Sequence, residues 1–328
     1  MPKIVKIQKY FVLLAFLSIC SVTELMGWGF WGHRRINEFA IFTLPSELMA
    51  FYKQNAAYIK EHAVDADKRR YRIKDEAPRH YIDLDEYEKE GLANLPKTWS
   101  KALEKYTEDS LNDHGTVPWH VQLVMKQLTD AFKAKDIGKI LFHSANLGHY
   151  VADAHVPLHT TSNYNGQKTG QNGIHGLWES RIPELVGNNF DFFIGKAEYI
   201  KNPTEKIWMI ILESHAAVDS VLTIEKQLSD SLKSDIKYSF SEKNHKVKRS
   251  YSAKFVRAYN QKLDNMVERR MRQSIIDLGS FWYTAWVNAG KPELLAKENA
   301  VKYIAETTDT SETHSRQSSP HKIKGHDD

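Results

Sequence analysis

The spacing of apolar residues along the chain predicts helices and little else. After Trp28-Gly29-Phe30-Trp31-Gly32-His33, the positions Ile36, Phe39 and Ala40 recur at helical intervals until Pro45 ends the run. A second helix fits residues 46–62, with Ser46 as its N-cap and Met49, Tyr52 and Ile59 facing a core. The pattern then lapses. The stretch AVDADKRRYRIKDEAPRHYIDLDEY is polar, charged and irregular, the kind of loop in which chemistry is often carried. Residues 91–117 read as loop with one short helix. Pro118 suits the first turn of PWHVQLVMKQLTDAFKAK, and Asp136 caps the following IGKILFHSANLGHYVADAH. Residues 160–174, rich in Asn, Gly, Thr and Gln, form a loop. Two long helices are expected at about 204–232 and 253–288, joined by a basic, mobile connection at 233–250. There is no alternating run of β-branched residues long enough for a sheet, and no internal repeat. The pattern predicts an all-α fold, a single multi-helix domain over 28–306. From Thr307 the tail TTDTSETHSRQSSPHKIKGHDD has almost no apolar residues, so 307–328 is expected to be a disordered polar tail. His314, His321 and His326 are therefore not expected to serve a site.

Composition changes this picture at the N-terminus. Hydrophobic residues make up 41% of the chain, enough for a substantial core, and the formal charge is only +4. Half of that charge comes from Lys3, Lys6 and Lys9 against Glu24, so the remainder leaves no footprint for strong nonspecific DNA binding. The opening MPKIVKIQKYFVLLAFLSICSV places those lysines before an apolar run of roughly a dozen residues, too short for a good membrane span and the right shape for a secretory signal. Residues 1–27 are expected to be a signal peptide. The protein is expected to be secreted or periplasmic, with no transmembrane anchor in the mature chain. The only cysteine, Cys20, lies in this segment. A lipoprotein reading of LSIC is the alternative, although Ile19 before the cysteine fits it poorly. Once the signal is removed no cysteine remains, which excludes disulfides and thiolate ligands. Any metal must then be held by His, Asp, Glu and backbone.

The candidate chemistry lies in 147–179, LGHYVADAHVPLHTTSNYNGQKTGQNGIHGLWE. His149 and Asp153 are four apart, so a helix puts them on one face. Pro157 stops or kinks that helix, and His159 follows the break. His175 and Glu179 repeat the four-residue spacing. The flanks Leu147, Val151, Val156, Leu158, Leu177 and Trp178 are apolar, and donors set among apolar residues must be paired or bound to metal. Two such pairs and a fifth donor are too many for one tetrahedral ion, which points to a multinuclear zinc site and a hydrolase. The remaining histidines need no such role. His62, His114, His120, His143, His215 and His245 read as surface or hydrogen-bonded residues. His155 reads as structural, because on a helix it points roughly 160–200° away from Asp153.

The pattern His149-x3-Asp153-x5-His159, then His175-x3-Glu179, resembles the superfamily of zinc-dependent phospholipase C and the zinc single-strand nucleases P-one and S-one. WGFWGH resembles the family's mature N-terminus, and Ala66-Asp67 and His80-Tyr81-Ile82-Asp83 resemble its Ala-Asp and His-Phe-x-Asp elements. The resemblance spans 28–179 and implies a helical fold around three zinc ions. One would be held by Asp67, His80, His149 and Asp153, and a second by His159, His175 and Glu179. The third would use His33, Asp153 as a bridge, and the free amine and carbonyl of Trp28. A backbone amine binds metal only as a terminus, so cleavage is expected between Gly27 and Trp28.

The implied reaction is phosphodiester hydrolysis by a metal-activated water. Asp67 is the implied base or water-orienting group, with a ligand role as the alternative, and Arg70 the implied phosphate grip. Substrate is less sharply indicated. Tyr81 and Asp83 match the base-binding element of the nucleases, or a scaffold shared by both branches. Glu179 matches the phospholipase branch. Trp31, Lys68 and Ala77 stand where the phospholipase's choline pocket would be, so none of that pocket is kept. Asp65 stands where the nucleases have Trp. The balance favours single-stranded nucleic acid or nucleotides, with phospholipid as the alternative substrate and a non-catalytic zinc-binding protein as a third reading. No obligate protein partner is indicated.

Overall fold

The computed structural model describes residues 28–73, 75–87, 91–243 and 246–294. The signal peptide expected at 1–27, the tail expected at 307–328 and His245 lie outside the described residues. The first helix, α1 (Gly29–Ala40), runs on as a 3-10 turn, Ile41–Thr43. Then come α2 (Ser46–Gln54), α3 (Ala56–Glu61) and α4 (Asp65–Arg69), followed by 3-10 turns at Ala77–His80 and Leu84–Glu86. Two short helices, α5 (Trp99–Lys105) and α6 (Glu108–Asp113), lead to the central pair α7 (Val117–Ala134) and α8 (Ile137–Ala154). Asp136 caps α8, its carboxylate accepting from the Lys139 N–H at 3.1 Å. Pro157 ends α8 as expected: Val156 before it is extended, and a 3-10 turn, Pro157–Thr160, follows. Beyond the loop come α9 (Ile174–Gly176), a π-turn at Leu177–Arg181 and α10 (Ile182–Val186).

Several expectations are corrected beyond this point. The helix expected at 204–232 is two, α11 (Pro203–Ala216) and α12 (Val218–Ser231). By length and composition, Pro203–Ser231 is apolar enough to cross a membrane, yet it is interrupted at Ala217 and buries Ile207, Trp208, Ile210 and Ile211. The helix expected at 253–288 is α14 (Ala253–Lys262) and α15 (Met266–Asn288), separated where Asp264 and Asn265 take left-handed backbone at φ 51° and 52°. Between these pairs, the supposed mobile connection holds α13 (Ser234–Lys237) and a hairpin of β1 (Tyr238–Lys243) and β2 (Lys246–Tyr251). Its strands alternate Tyr, Phe and Val with Ser and Lys, a pattern hidden by its charge. The 46–62 helix breaks at Asn55, and Pro45, not Ser46, is the N-cap residue of α2. Residues 91–117 hold two short helices rather than one. The fold is nonetheless all-α around a buried core.

What positions the site is the close approach of α1 and α15 to α8. Gly148 makes it possible: a Cβ there would lie 1.6 Å from Asn37 Oδ1 and 2.9 Å from Leu278 Cδ2. Asn37 Nδ2 donates to the Ala145 carbonyl at 3.4 Å, tying α1 to the same turn. Across the core, Trp282 of α15 stacks on Tyr52 at 4.6 Å and donates to the Ser144 carbonyl. Gly148→Ala is therefore expected to force α1 away and to destabilise the fold by about 1–3 kcal/mol. Thermal unfolding checks this, and Asn37→Ala in the same chain should recover part of the loss.

Candidate metal centre

Helix α8 delivers His149 and Asp153 into the core one turn apart, both wholly buried. The 3-10 turn Ala77–His80 brings His80 over them, and α4 brings Asp67 from another side. The donor atoms converge. His80 Nδ1 is 3.0 Å from both Asp153 Oδ2 and His149 Nε2. Asp67 Oδ1 lies 3.5 Å from His149 Nε2 and 3.7 Å from His80 Nδ1, and His149 Nε2 lies 3.3 Å from Asp153 Oδ2. Four ligands around zinc at about 2.0–2.1 Å stand about 3.3 Å apart along each tetrahedral edge. His80, His149 and Asp153 meet that spacing and could hold one ion, while Asp67 groups with His33 and His149 on the other side of the same imidazole.

Next to this group, His33 of α1 stacks on His149 with ring centroids 3.9 Å apart, and its Nε2 is 3.4 Å from Asp153 Oδ1. Asp153 therefore turns one oxygen to His80 and the other to His33. A separate set forms where the π-turn follows α9: His175 Nε2 is 3.0 Å from Glu179 Oε1, and His159 Nε2 is 3.3 Å from Glu179 Oε2. The widened turn keeps this pair on one side, a common use of π-bulges at functional sites.

In two of the histidines the second ring nitrogen is anchored by a backbone carbonyl, so that the first faces inward. His149 Nδ1 donates to the Ala63 carbonyl at 2.8 Å, and His159 Nδ1 to the His80 carbonyl at 2.6 Å. In contrast, both nitrogens of His33, Asp67 Oδ2, Asp153 Oδ1, His159 Nε2 and both Glu179 oxygens are buried without a hydrogen bond among the described residues. Buried polar groups need partners, so this donor set suits cations. Electrostatics agree. Against burial, which alone would raise it, His149 holds the Asp67 carboxyl down at about 2. Despite burial, Asp153 and Asp67 push the His149 imidazole well above its usual range, while burial pushes His33 and His80 down.

Trp28 starts α1 in left-handed conformation, φ 33°, with its ring buried. Its indole donates to the Ala152 carbonyl at 2.7 Å and packs on Trp178, with ring centroids 5.1 Å apart. The Trp28 backbone is thereby pinned next to the turn bearing Asp153 and the segment bearing Glu179. Its carbonyl accepts the Gly32 N–H at 2.9 Å. Arg70 is buried close to Tyr81, its charge opposing the rise that burial gives the Tyr81 phenol. Tyr81 is only 2% exposed. It lies under Gly115, where a Cβ would stand 2.2 Å from the Tyr81 carbonyl, so its ring offers no open face here. Burial, then Asp85 and Glu86, push the Asp83 carboxyl up to about 8.

Sequence reasoning missed the support behind His80. Glu76, fully buried, accepts from Tyr150 Oη, from Arg69 Nη2 at 3.3 Å and from Arg79 Nη1 at 2.8 Å, with His80 Nε2 3.9 Å away. The four-residue spacing of Glu76 and His80 was the available signal, masked by the charged run around it. The structural reading of His155 fits: its Nε2 lies 3.1 Å from Asp277 Oδ2 and its Nδ1 donates to the Val151 carbonyl. His215 donates to the Thr160 carbonyl, and His120 packs edge-on to Tyr150.

Among protein-family models, residues 28–295 match the one described as S1/P1 Nuclease. No curated protein matches the chain.

Two outcomes follow from this geometry. Glu76→Gln is expected to weaken zinc binding roughly 10- to 100-fold, read by competition with a coloured chelator. Asp83 holds a proton in the folded state up to about pH 8, whereas the unfolded chain releases it near roughly 3.9. Stability should therefore fall as pH rises across that window, and Asp83→Asn should remove this part of the slope in melting temperatures.

Proposed function

Because the chain belongs to the S1/P1 nuclease family, we propose that it hydrolyses phosphodiester bonds of single-stranded nucleic acid or nucleotides at a three-zinc centre. The family carries phosphodiester hydrolysis as the reaction class. The observation that supports the fuller reading is the convergence of His80 Nδ1, His149 Nε2 and Asp153 Oδ2 within 3.0–3.3 Å of one another, with Asp67 Oδ1 3.5 Å from His149 Nε2 and 3.7 Å from His80 Nδ1. These four would hold one ion, and His159, His175 and Glu179 a second. His33, the other oxygen of Asp153 and the backbone amine and carbonyl of Trp28 would hold the third. When bound, zinc supplies the Lewis acidity that activates water and takes up charge on phosphoryl oxygens.

The chain's own groups do the rest. Asp67 turns Oδ1 toward the ligand cluster and leaves Oδ2 without a hydrogen bond, available to orient a water. Its role is that of a base or a water-orienting group, beside its place as a ligand. Arg70 supplies a planar fork for a phosphate oxygen. Asp83 contacts the edge of a base, and Tyr81, covered by Gly115, backs it rather than stacking. Glu179 favours the second reading, phospholipase C, since that branch carries Glu at this position. A zinc-binding protein without turnover is the third. The Trp28 ligand requires cleavage after Gly27, and hence export, either into the periplasm or out of the cell.

Metal content and N-terminal sequence of the exported protein test the centre together. About three zinc ions per chain with Trp28 first is the expected result, and a chain starting at Met1 or Cys20 would remove the Trp28 ligand. Parallel assays on single-stranded DNA and phospholipid vesicles, each with and without chelator, assign the substrate. Chelator should abolish hydrolysis of DNA, and Arg70→Ala should lower kcat/KM about a hundredfold.

A further inference from the structure

The β1–β2 hairpin has no part in the centre described above, yet its root is fastened to it. The Tyr251 ring lies against Gly173, two residues before His175, and Arg181 Nε donates to the Tyr251 carbonyl at 3.4 Å. Strands of this length carry the hairpin about 20 Å away from that root. Its register pairs Tyr238 with Tyr251, Phe240 with Arg249 and Glu242 with Val247, so these residues share one face. On that face Phe240 is 69% and Val247 72% exposed. Arg249 covers Tyr238, its guanidinium 4.4 Å from the ring centroid, while Phe240 makes no ring contact among the described residues. The hairpin sequence carries Lys243, Lys246, Lys248 and Arg249 against Glu242 alone, an excess close to the whole chain's formal +4.

We propose that this hairpin is a strand grip: it binds single-stranded polynucleotide beyond the scissile phosphate, Phe240 stacking on a base and Arg249 pairing with a phosphate. An exposed aromatic with an arginine opposite it on a basic hairpin is what non-sequence-specific single-strand binding uses. A membrane-inserting hairpin would put its apolar residues at the tip. Here Lys243 and Lys246 form the pair next to the turn, and Phe240 is set back from it. The proposal rests on the nuclease reading above.

The test compares a long single-stranded oligonucleotide with bis(p-nitrophenyl) phosphate, which is too small to reach the hairpin. Phe240→Ala is expected to raise KM for the oligonucleotide by about 5-fold or more. Arg249→Gln is expected to flatten the salt dependence of oligonucleotide binding by about 0.7 in log–log slope. Both variants should keep wild-type kcat on the small diester, which also reports that they fold. Unchanged KM and salt slope with intact oligonucleotide cleavage would overturn the grip and leave the nuclease reading standing. Loss of binding to anionic phosphatidylglycerol vesicles, with oligonucleotide kinetics unchanged, would overturn it in favour of a membrane contact. A wild-type enzyme that cleaves the diester but no oligonucleotide would overturn both readings together.

Discussion

Three buried carboxylates govern this molecule. Asp67, Asp153 and Glu179 are at most 3% exposed and stand among imidazoles that are equally enclosed. Removing a carboxylate from water costs several kcal/mol unless hydrogen bonds or opposite charge replace the hydration. The protein supplies little of that replacement itself. Asp153 Oδ1 and both oxygens of Glu179 have no hydrogen bond among the described residues. What it supplies is a ring of imidazole nitrogens close to the carboxylates, with the opposite nitrogens of His149 and His159 fixed by carbonyls. A cluster built this way is poorly balanced as a set of protein groups and well balanced around cations. Metal affinity and fold stability are then one free energy seen from two sides.

That balance demands that distant segments meet within tenths of an ångström, and backbone chemistry meets the demand. Gly148 allows α1 to touch α8, which sets His33 against His149. Pro157 turns the chain so that His159, six residues after Asp153, faces a different neighbour. The π-turn at Leu177–Arg181 holds Glu179 to His175 while Trp178 packs on Trp28. Each device sits within a few residues of a donor, and each is followed by a helix or turn buried in the main core. The site is therefore rigid for the same reason that the core is rigid.

The ligand-type residues were legible because helices translate spacing into direction. A four-residue interval placed His149 with Asp153, and the same interval held for His175 and Glu179 even through a π-turn. Apolar flanks announced burial. The support behind His80 was less legible, because Glu76, Arg69 and Arg79 are charged residues in a charged run, and sequence alone does not say which of them turn inward. The hairpin was missed for a related reason. Its alternation is written in Ser and Lys as much as in Tyr, Phe and Val, and a net positive stretch between helices resembles a solvated linker. The breaks at Asn55, Ala217 and Asp264 carry no proline, so periodicity ran straight through them.

The parts read poorly from sequence are also those proposed to face substrate. Ligand geometry is fixed by bond lengths, so the residues that meet it are few in kind and recognisable. Substrate contacts obey softer rules: a phosphate accepts any well-placed guanidinium, and a base stacks on any exposed ring. Tyr81 illustrates the difference, since the sequence offers it as a stacking face and the fold covers it with Gly115, whereas Phe240, far along the chain, stands 69% exposed. On the proposed reading, substrate choice rests less on the buried donors than on surface elements whose orientation only the packed chain reveals.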